Sequence, residues 1–375
     1  MLSKVILTGG GTGGHIFPAL AVAEELLSRY PRVEILFLGG RYGPEASLVR
    51  KAGLDFVGLQ VRGFFGRGLK AAGAGLLLLR GIWQSWNRIR RFNPDIAIGF
   101  GGYAAAAGLA AARLHGTPIM LHEQNSVPGI ANRLFARVAS RICISLPDAE
   151  KCFPAGSCIL TGNPVRRNIL ALYRDKSRFS GTNASGRGRL LVLGGSQGAR
   201  TLNDAVLEDL ELLLGAGLDL WIQSGQGDYA RVRELTAVCE EERVRVDAFI
   251  EDMDQAYAWA DLVFCRAGAT TLAELAVTGL PAILVPFPQA THNHQFFNAE
   301  QMRKVGAARI VEQKDLAPGR LADLTGALIR DRAALHSMSC SALLMAQPEA
   351  AGNLVEEADR IAVNFRSAGG NSGRS

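Results

Sequence analysis

The sequence lacks a long run of apolar residues, which argues against a helix that crosses a membrane. One stretch without charge lies between Asp95 and Arg113, is rich in alanine and glycine, and is interrupted by GFGGY at 99–103. A strand, a turn and a helix fit this stretch better than a membrane span does. The N-terminal MLSKVILTGG leads directly into an expected strand. We therefore expect no signal peptide and a cytoplasmic protein.

Cysteine pairs and clusters of metal ligands are also scarce. The six cysteines show neither CxxC nor the spacing of a zinc site, so we expect reduced thiols. His292 and His294 are close enough in sequence to share a metal ion, but no third ligand accompanies them. The sequence therefore gives little indication of a metal site. Aromatic residues make up only 7% of the chain, whereas glycine occurs 43 times, which is typical of α/β domains with many tight turns.

Acidic residues are absent from one segment, 56–94, although the net charge of the whole chain is only +6. The same segment contains seven basic residues: Arg62, Arg67, Lys70, Arg80, Arg88, Arg90 and Arg91. Its second half, LLLLRGIWQSWNRIRRF at 76–92, has helical periodicity. We interpret five apolar side chains as sharing one helical face: Leu76, Leu79, Ile82, Trp83 and Trp86. Such a helix suits an anionic membrane surface. A core-packed helix is the alternative, and nucleic acid ranks below both.

Short apolar strands alternate with helical patterns along the chain. KVILTGG, EILFLGG, DIAIGFGG and TPIMLHEQ each end in a loop, and FPALAVAEELLSRY has helical periodicity. After a polar stretch at 179–189 the pattern restarts with LLVLGGSQGARTLNDAVLEDL. Alternation of this kind predicts parallel, doubly wound sheets. We therefore expect an α/β protein with two Rossmann-like halves, and a change from one to the other near 162–168.

The stretch LTGGGTGGHIFPAL at 7–20 places a glycine loop between a strand and a helix. Its GxGxxG pattern favours a dinucleotide site, and thus a nicotinamide-dependent oxidoreductase. That site needs an acidic residue at the end of the next strand, where this chain has FLGGR. A Walker loop is excluded because no Lys-Ser/Thr pair follows, and a turn without a ligand is a further alternative. His15 stands where the helix should begin, beside an expected polar or anionic ligand, and is a candidate general base.

Two further strands end in loops that carry polar or glycine-rich sequence. GFGGY at 99–103 is a second glycine turn, and HEQN at 122–125 places four polar side chains after a third strand. The carboxyl ends of parallel strands lie at one edge of a sheet, where ligands bind. We therefore expect one cleft to collect His15 and five other residues: Gly101, Gly102, His122, Glu123 and Asn125.

The second half opens with its own glycine turn, GGSQGA at 194–199. The turn matches a hydrolase nucleophile elbow with Ser196 as the nucleophile, and it also matches a turn that binds a diphosphate at a helix N-terminus. We favour the diphosphate, to which Arg166 on the connecting segment would add positive charge. Further along, Glu274 falls on a predicted helix. It is a candidate to bind both hydroxyls of a ribose, and an exposed helical glutamate is the equal alternative.

Eight motifs taken together resemble a known family. GGGTGGHIFPALA, GFGGY, LHEQN, GNPVR, LGGSQGA, FIEDM, RAGATTLAE and HNHQFFNA occur in the order found in the MurG enzymes of glycosyltransferase family 28. These bacterial enzymes transfer N-acetylglucosamine (GlcNAc) from UDP-GlcNAc to the muramoyl 4-hydroxyl of lipid I, a lipid-linked muramoyl-pentapeptide. The product is lipid II of peptidoglycan synthesis, a pathway that serves cell shape and division. The resemblance implies an inverting hexosyltransferase that needs no metal ion and no cofactor.

The resemblance also implies a GT-B fold, in which two Rossmann-like domains face each other across a cleft. Residues 1–164 with a last helix at 345–363 would bind the acceptor and the membrane, 165–344 would bind the donor, and 366–375 would form a disordered tail. The implied UDP-GlcNAc site consists of Thr12, Gly13, Gly14, Asn125, Arg166, Ser196, Ile250, Ala269, Thr270, Thr271, Leu272, Glu274 and Gln295. Ile250 would meet the uracil, Glu274 the ribose and Gln295 the sugar hydroxyls.

On the acceptor side, the resemblance implies a diphosphate site formed by Gly13, Gly14, Gly101, Gly102 and Tyr103. His15 would take the proton from the muramoyl hydroxyl, and Glu123 is either the rival base or the residue that orients His15. The implied partners are UDP-GlcNAc, lipid I, an anionic membrane surface and other proteins of cell-wall synthesis and division, but no nucleic acid. Because lipid I is a membrane lipid, the expected location is the cytoplasmic face of the inner membrane, with peripheral attachment.

Overall fold

The computed structural model describes residues 1–43, 45–61, 71–174, 186–195 and 198–369 of the 375-residue chain. The chain divides into two compact units, which consist of Met1–Arg166 with Glu349–Ser375 and of Arg167–Pro348. These bounds lie close to the expected boundaries at 164/165 and 344/345. Each unit is built around its own parallel sheet, as the alternation of strands and helices predicts.

The first unit contains a seven-stranded sheet in the order β3-β2-β1-β4-β5-β6-β7, with every pair of neighbours parallel. Its strands are β1 (Lys4–Thr8), β2 (Glu34–Gly40), β3 (Asp55–Leu59), β4 (Ile96–Gly99), β5 (Ile119–Glu123), β6 (Arg141–Ile144) and β7 (Cys158–Leu160). The central strands are mostly apolar and almost entirely buried, because helices cover both faces of a doubly wound sheet. The helices of this region are α1 (Gly13–Arg29), α2 (Glu45–Lys51), α3 (Ala71–Phe92), α4 (Tyr103–His115) and α5 (Ile130–Phe135).

The second unit contains a six-stranded parallel sheet in the order β10-β9-β8-β11-β12-β13. This is the strand order of the Rossmann fold. The strands are β8 (Gly188–Leu193), β9 (Leu218–Gln223), β10 (Val244–Asp247), β11 (Leu262–Cys265), β12 (Ala282–Leu284) and β13 (Ala308–Ile310). The helices are α6 (Arg167–Arg174), α7 (Arg200–Glu208), α8 (Leu210–Gly215), α9 (Tyr229–Thr236), α10 (Met253–Trp259), α11 (Ala269–Thr278), α12 (His294–Lys304), α13 (Arg320–Arg330) and α14 (Arg332–Leu344).

The last helix, α15 (Ala350–Ser367), belongs to the first unit and begins and ends later than the expected 345–363. It packs on α1, and its apolar face joins the core of that unit through Leu354, Val355 and Ala358. The tail was expected from 366, but Arg366 is helical and pairs with Asp95 at 2.5 Å. This ion pair and the buried apolar face explain why the helix continues past the expected end. Residues 370–375 of the expected tail lie outside the described residues.

Within the described ranges, no helix combines the length and the apolar character that a membrane crossing requires.

Candidate active site

Two glycine loops meet at the carboxyl edge of the first sheet, where the strand order reverses between β1 and β4. The loop after β1 covers 9–12, and the loop after β4 covers 100–102. Gly101 and Gly102 have φ angles of 96° and 85°, in the left-handed region that favours glycine. A Cβ atom at Gly102 would also collide with the carbonyl oxygen of Gly10. Glycine is therefore required in GFGGY for the close approach of the two loops.

His15 lies in the first turn of α1, which begins at Gly13. Its Nδ1 atom lies 3.1 Å from the carbonyl oxygen of Gly10. A carbonyl only accepts hydrogen bonds, so Nδ1 carries the hydrogen of the neutral imidazole and the lone pair is on Nε2. A Cβ atom at Gly101 would lie 3.0 Å from that Nε2 atom and would crowd it. The loops thus fix the orientation of His15 and leave Nε2 as its basic nitrogen.

Glu123 ends β5 and is almost completely buried. Oε1 accepts hydrogen bonds from the backbone N–H and the side-chain amide of Asn125, at 3.0 and 3.2 Å. Oε2 accepts from the N–H of Gly129 at 3.1 Å and from the amide of Asn132 at 2.8 Å. Burial raises the pKa of Glu123, and the four donors oppose that rise. This arrangement is that of a carboxylate that orders the loop after β5.

His122 lies near enough to His15 to feel its charge, but its side chain is buried rather than open to a cleft. It is fully buried, where its Nδ1 accepts from the amide of Gln124 at 3.0 Å. Nε2 therefore carries the hydrogen and donates to the carbonyl of Gly162 at 3.1 Å, with Ser145 Oγ at the same distance. Burial lowers the pKa of His122 to about 4. His122 is thus a neutral side chain that holds the start of the GNPVR segment at 162–166.

The remaining predicted residues of the first unit lie on the same loops or beside them. Thr12 is the exposed residue that precedes α1, and Gly13 and Gly14 form the first turn. Tyr103 begins α4 and is 41% exposed. Arg166 stacks its guanidinium over the ring of Phe17, 4.5 Å from the centroid. Phe17 lies on α1, two residues after His15.

Two residues near this edge were missed from the sequence. Glu45 is buried at the start of α2, and its Oε1 accepts a hydrogen bond from the N–H of Gly11 at 2.6 Å. Asn132 on α5 donates both to Glu123 and to the carbonyl of His122. Neither residue adjoins a glycine motif in sequence, so only the fold reveals these contacts.

In the second unit, Gly194 and Gly195 follow β8, which pairs with β11 at the corresponding reversal of strand order. Gly198 has a φ of 77°, and a Cβ atom there would collide with the carbonyl oxygen of Ser224. Ser196 lies outside the described residues. Gln223, which ends β9 and was not predicted, donates to the carbonyl of Gly195 at 3.0 Å and accepts from the N–H of Ile250 at 3.0 Å. It connects the glycine turn to the stretch expected to meet uracil.

Glu274 lies on α11 and is 5% exposed, which excludes the exposed helical glutamate. Its Oε2 accepts a hydrogen bond from the hydroxyl of Tyr257 at 2.8 Å. The first turn of the same helix contains the other predicted residues, Ala269, Thr270, Thr271 and Leu272. Glu274 is therefore a carboxylate oriented by a tyrosine, one turn along from this segment.

Gln295 lies near the start of α12, where its Oε1 accepts from the N–H of Phe287 at 2.9 Å. This contact orients the side chain so that the amide nitrogen is available as a donor. Arg266, which follows β11 and was not predicted, donates to the carbonyl of Val285 at 3.2 Å and to Gln313 at 2.7 Å. Burial lowers its pKa to about 10. These contacts brace the loop before α12.

The proposed membrane face on α3 is narrower than the sequence suggested. Leu76, Leu79 and Trp83 are exposed by 72%, 64% and 64%. Ile82 and Trp86, expected on the same face, instead pack against the core of the first unit. Successive helical residues turn by about 100°, so the five residues span two adjacent stripes rather than one. Only the outer stripe of three is exposed.

The chain matches two sequence profiles of one family of transferases. "Glycosyltransferase family 28 N-terminal domain" matches residues 5–144, and "Glycosyltransferase family 28 C-terminal domain" matches residues 189–354. The chain therefore belongs to glycosyltransferase family 28.

The particular relatives within this family share one name, UDP-N-acetylglucosamine–N-acetylmuramyl-(pentapeptide) pyrophosphoryl-undecaprenol N-acetylglucosamine transferase. The one from Nitratidesulfovibrio vulgaris strain Miyazaki F is 51% identical over 96% of this chain and 97% of the relative. The one from Solidesulfovibrio magneticus is 46% identical over 94% and 96%. The crystal structure of Acinetobacter baumannii MurG has a TM-score of 0.76 and 32% identity, covering 96% of this chain and 99% of that one. The two parallel-sheet units are those of a GT-B glycosyltransferase.

Proposed function

We propose that this chain transfers GlcNAc from UDP-GlcNAc to the muramoyl 4-hydroxyl of lipid I and so forms lipid II. The names of relatives that are 51% and 46% identical over nearly the whole chain support this activity. The structural observation that supports it is the 3.1 Å contact of His15 Nδ1 with the Gly10 carbonyl, from which we infer that Nε2 carries the lone pair. Family membership gives no support to the nicotinamide oxidoreductase or to the serine hydrolase.

His15 acts as the general base in this proposal. Nε2 takes the proton from the muramoyl 4-hydroxyl, and the oxygen attacks C1 of the donor sugar from the face opposite UDP. The new O4–C1 bond forms as the C1–O bond to the diphosphate breaks, and its electron pair leaves with UDP. Attack from the opposite face inverts the configuration and gives a β-1,4 bond. Glu123 orders the loop at 125–132 rather than taking the proton.

The acceptor diphosphate is assigned to the two glycine loops of the first unit, where Gly13, Gly14, Gly101 and Gly102 lie beside Tyr103. Close approach of backbone N–H groups and the N-terminus of α1 suits an anionic group there.

The donor is assigned to the second unit. Its diphosphate would lie at the turn containing Ser196, where backbone N–H groups would stabilise the charge of the leaving UDP. Ile250 would meet the uracil, and Gln295 the sugar hydroxyls. Glu274 would accept hydrogen bonds from the ribose hydroxyls, which its buried and Tyr257-bonded carboxylate favours.

Transfer of labelled GlcNAc to a lipid I analogue tests this function directly, with EDTA present in a parallel series. We expect wild-type turnover to persist in EDTA and His15→Ala to lose about a hundredfold or more of kcat. His115→Ala is the matched control, because His115 ends α4 at the opposite end from Tyr103. Retained turnover in His15→Ala would place the base elsewhere, and loss of wild-type turnover in EDTA would mean that a metal ion is needed.

We also propose that the protein binds peripherally to an anionic membrane through the outer stripe of α3. Leu76, Leu79 and Trp83 expose apolar surface on a helix whose arginines at 80, 88, 90 and 91 are exposed as well. Apolar contact combined with basic charge is what interfacial helices use on anionic lipids. Because lipid I is a membrane lipid, this attachment would be at the cytoplasmic face of the inner membrane.

Sedimentation with anionic and neutral vesicles tests the membrane proposal. We expect Leu79→Glu and Trp83→Glu each to weaken binding to anionic vesicles several-fold. Leu212→Glu is the control, because Leu212 is similarly exposed, at 56%, on α8 of the second unit. Equal binding of all three variants would contradict the assignment of this stripe.

A further inference from the structure

A buried carboxylate contacts the first glycine loop. Glu45 is 2% exposed, and its Oε1 accepts the N–H of Gly11 at 2.6 Å. The carboxyl group lies among backbone atoms, because a Cβ atom at Gly10 or Gly43 would collide with it and one at Gly40 would crowd it. Glu45 Oε2 is also buried and accepts no hydrogen bond from the described residues. Among the described residues, the hydrogen bonding of this carboxylate is thus directed at one N–H group of the loop, that of Gly11.

The Gly10–Gly11 peptide group joins this carboxylate to the imidazole of His15. Its N–H donates to Glu45, and its carbonyl accepts from Nδ1–H of His15 at 3.1 Å. We propose that Glu45 is a positioning residue that acts on His15 through this peptide group. The inference rests on the proposed role of His15 as the base.

The physical basis is the polarisation of one planar, resonant peptide group. A charge-assisted hydrogen bond at its N–H shifts electron density towards its carbonyl oxygen, which then accepts more strongly from His15 Nδ1–H. This favours the tautomer with its lone pair on Nε2, and it stabilises the imidazolium once Nε2 has taken the proton. A carboxylate supports histidine in the same sense in a Ser-His-Asp triad, where the contact is direct. No proton crosses the peptide group.

Other titratable groups lie on the elements around His15. They are His122 and Glu123 on β5, Tyr103 at the start of α4, and Arg166 over Phe17 of α1. Substitution of Glu45 leaves them all in place. A difference in the titration of His15 between wild type and a Glu45 variant therefore reports the effect of Glu45 itself.

The first test needs no variant of Glu45. Nitrogen-15 NMR of the histidines in the full chain, with the His15 signals assigned by their loss in His15→Ala, reports which nitrogen carries the hydrogen at high pH. We expect Nδ1–H for His15. A neutral His15 protonated on Nε2 would overturn the proposal, and this result does not depend on any activity.

The second test is Glu45→Gln, which keeps an acceptor oxygen for Gly11 but removes the charge. Loss of a nearby negative charge disfavours the imidazolium, so we expect the pKa of His15 measured by NMR to fall by about 0.5–1 unit. The acid limb of the kcat–pH profile should move to lower pH by the same amount, and the plateau should fall roughly 3–10-fold. Glu34→Gln is the control, because Glu34 is an exposed acid of the same unit that pairs with Lys4.

The outcomes separate this inference from the proposed function. An unchanged pKa of His15 in Glu45→Gln would overturn the inference even if kcat falls, because a purely structural anchor would lower the rate without moving the titration. Full turnover in His15→Ala would instead refute the proposed base. Should Glu45→Gln not fold, the wild-type tautomer still decides.

Discussion

Replacement of Glu123 separates a residue that orders a loop from one that transfers a proton. Its carboxylate accepts four hydrogen bonds, from the backbone N–H and side chain of Asn125, from Gly129 and from Asn132. Glu123→Ala removes all four and leaves buried donors without an acceptor. Glu123→Gln retains one carbonyl oxygen but turns an amide N–H₂ towards two N–H donors, so it is not a conservative change here.

The expected magnitudes follow from this count. Net hydrogen bonds contribute about 1 kcal/mol each, and a stranded buried donor costs about 1–3 kcal/mol. Burial disfavours the charged carboxylate, as the raised pKa of Glu123 shows, and so offsets part of the stabilisation by these hydrogen bonds. Neither variant has a buried carboxylate, so this cost is absent from both. We therefore expect the free energy of unfolding to fall by about 3 kcal/mol in Glu123→Ala and about 2 kcal/mol in Glu123→Gln.

Hydrogen exchange of the peptide covering 119–135 and transfer kinetics at 25 °C measure the two roles separately. Exchange at 125–132 should accelerate in both variants, whereas peptides from β8 and β9 should not change. We expect folded Glu123→Gln to keep kcat within about tenfold of wild type, because its role is indirect. Unchanged exchange together with a loss of more than about a hundredfold in kcat would identify Glu123 as the base and refute the reasoning.

Three further predictions follow from other contacts. Tyr257→Phe removes the hydroxyl that orients Glu274, so the KM for UDP-GlcNAc should rise about 3–10-fold with little change in kcat, as initial rates will show. Burial alone would raise the pKa of Asp95, but hydrogen bonds from Lys4, Ser3 and Arg366 hold it below its usual value. The stability that Asp95 contributes is fully present above its pKa in the unfolded chain. This stability is lost as the pH falls through the lower pKa of Asp95 in the folded protein. Urea midpoints of wild type and Asp95→Asn should therefore converge below about pH 4. His292 has a φ of 52° and is exposed, so His292→Val should lower the free energy of unfolding by about 1–2 kcal/mol in urea titrations, and His292→Gly should be nearly neutral.

The fold was predictable because its signals are local. Each strand is a short apolar run, each glycine loop adjoins its strand, and the restart at 188–193 marks a second sheet. His15 was also predictable as a first-turn residue next to a loop. The tautomer of its ring was not, because that depends on the position of the Gly10 carbonyl, which the approach of Gly102 helps to fix.

The error at α3 has a geometric cause. Five apolar residues within eleven positions fit one broad face when only periodicity is considered. The sheet and α4 bury the stripe containing Ile82 and Trp86, and the stripe of Leu76, Leu79 and Trp83 remains exposed. Periodicity gives the angle between residues, but only packing decides which side of an apolar arc is covered.

In each unit, a side chain at or just after the strand that neighbours the first strand supports the glycine loop. It accepts a hydrogen bond in the first unit and donates one in the second. In the first, Glu45 comes just after β2 and accepts from the N–H of Gly11. In the second, Gln223 ends β9, the corresponding strand, and donates to the carbonyl of Gly195. A dinucleotide-binding Rossmann unit uses an acid near this position for ribose. At the end of β2, where such an acid would be expected, the sequence has only FLGGR. The carboxylate lies five residues beyond Gly40 and binds the loop itself, so it interacts with the backbone that orients His15.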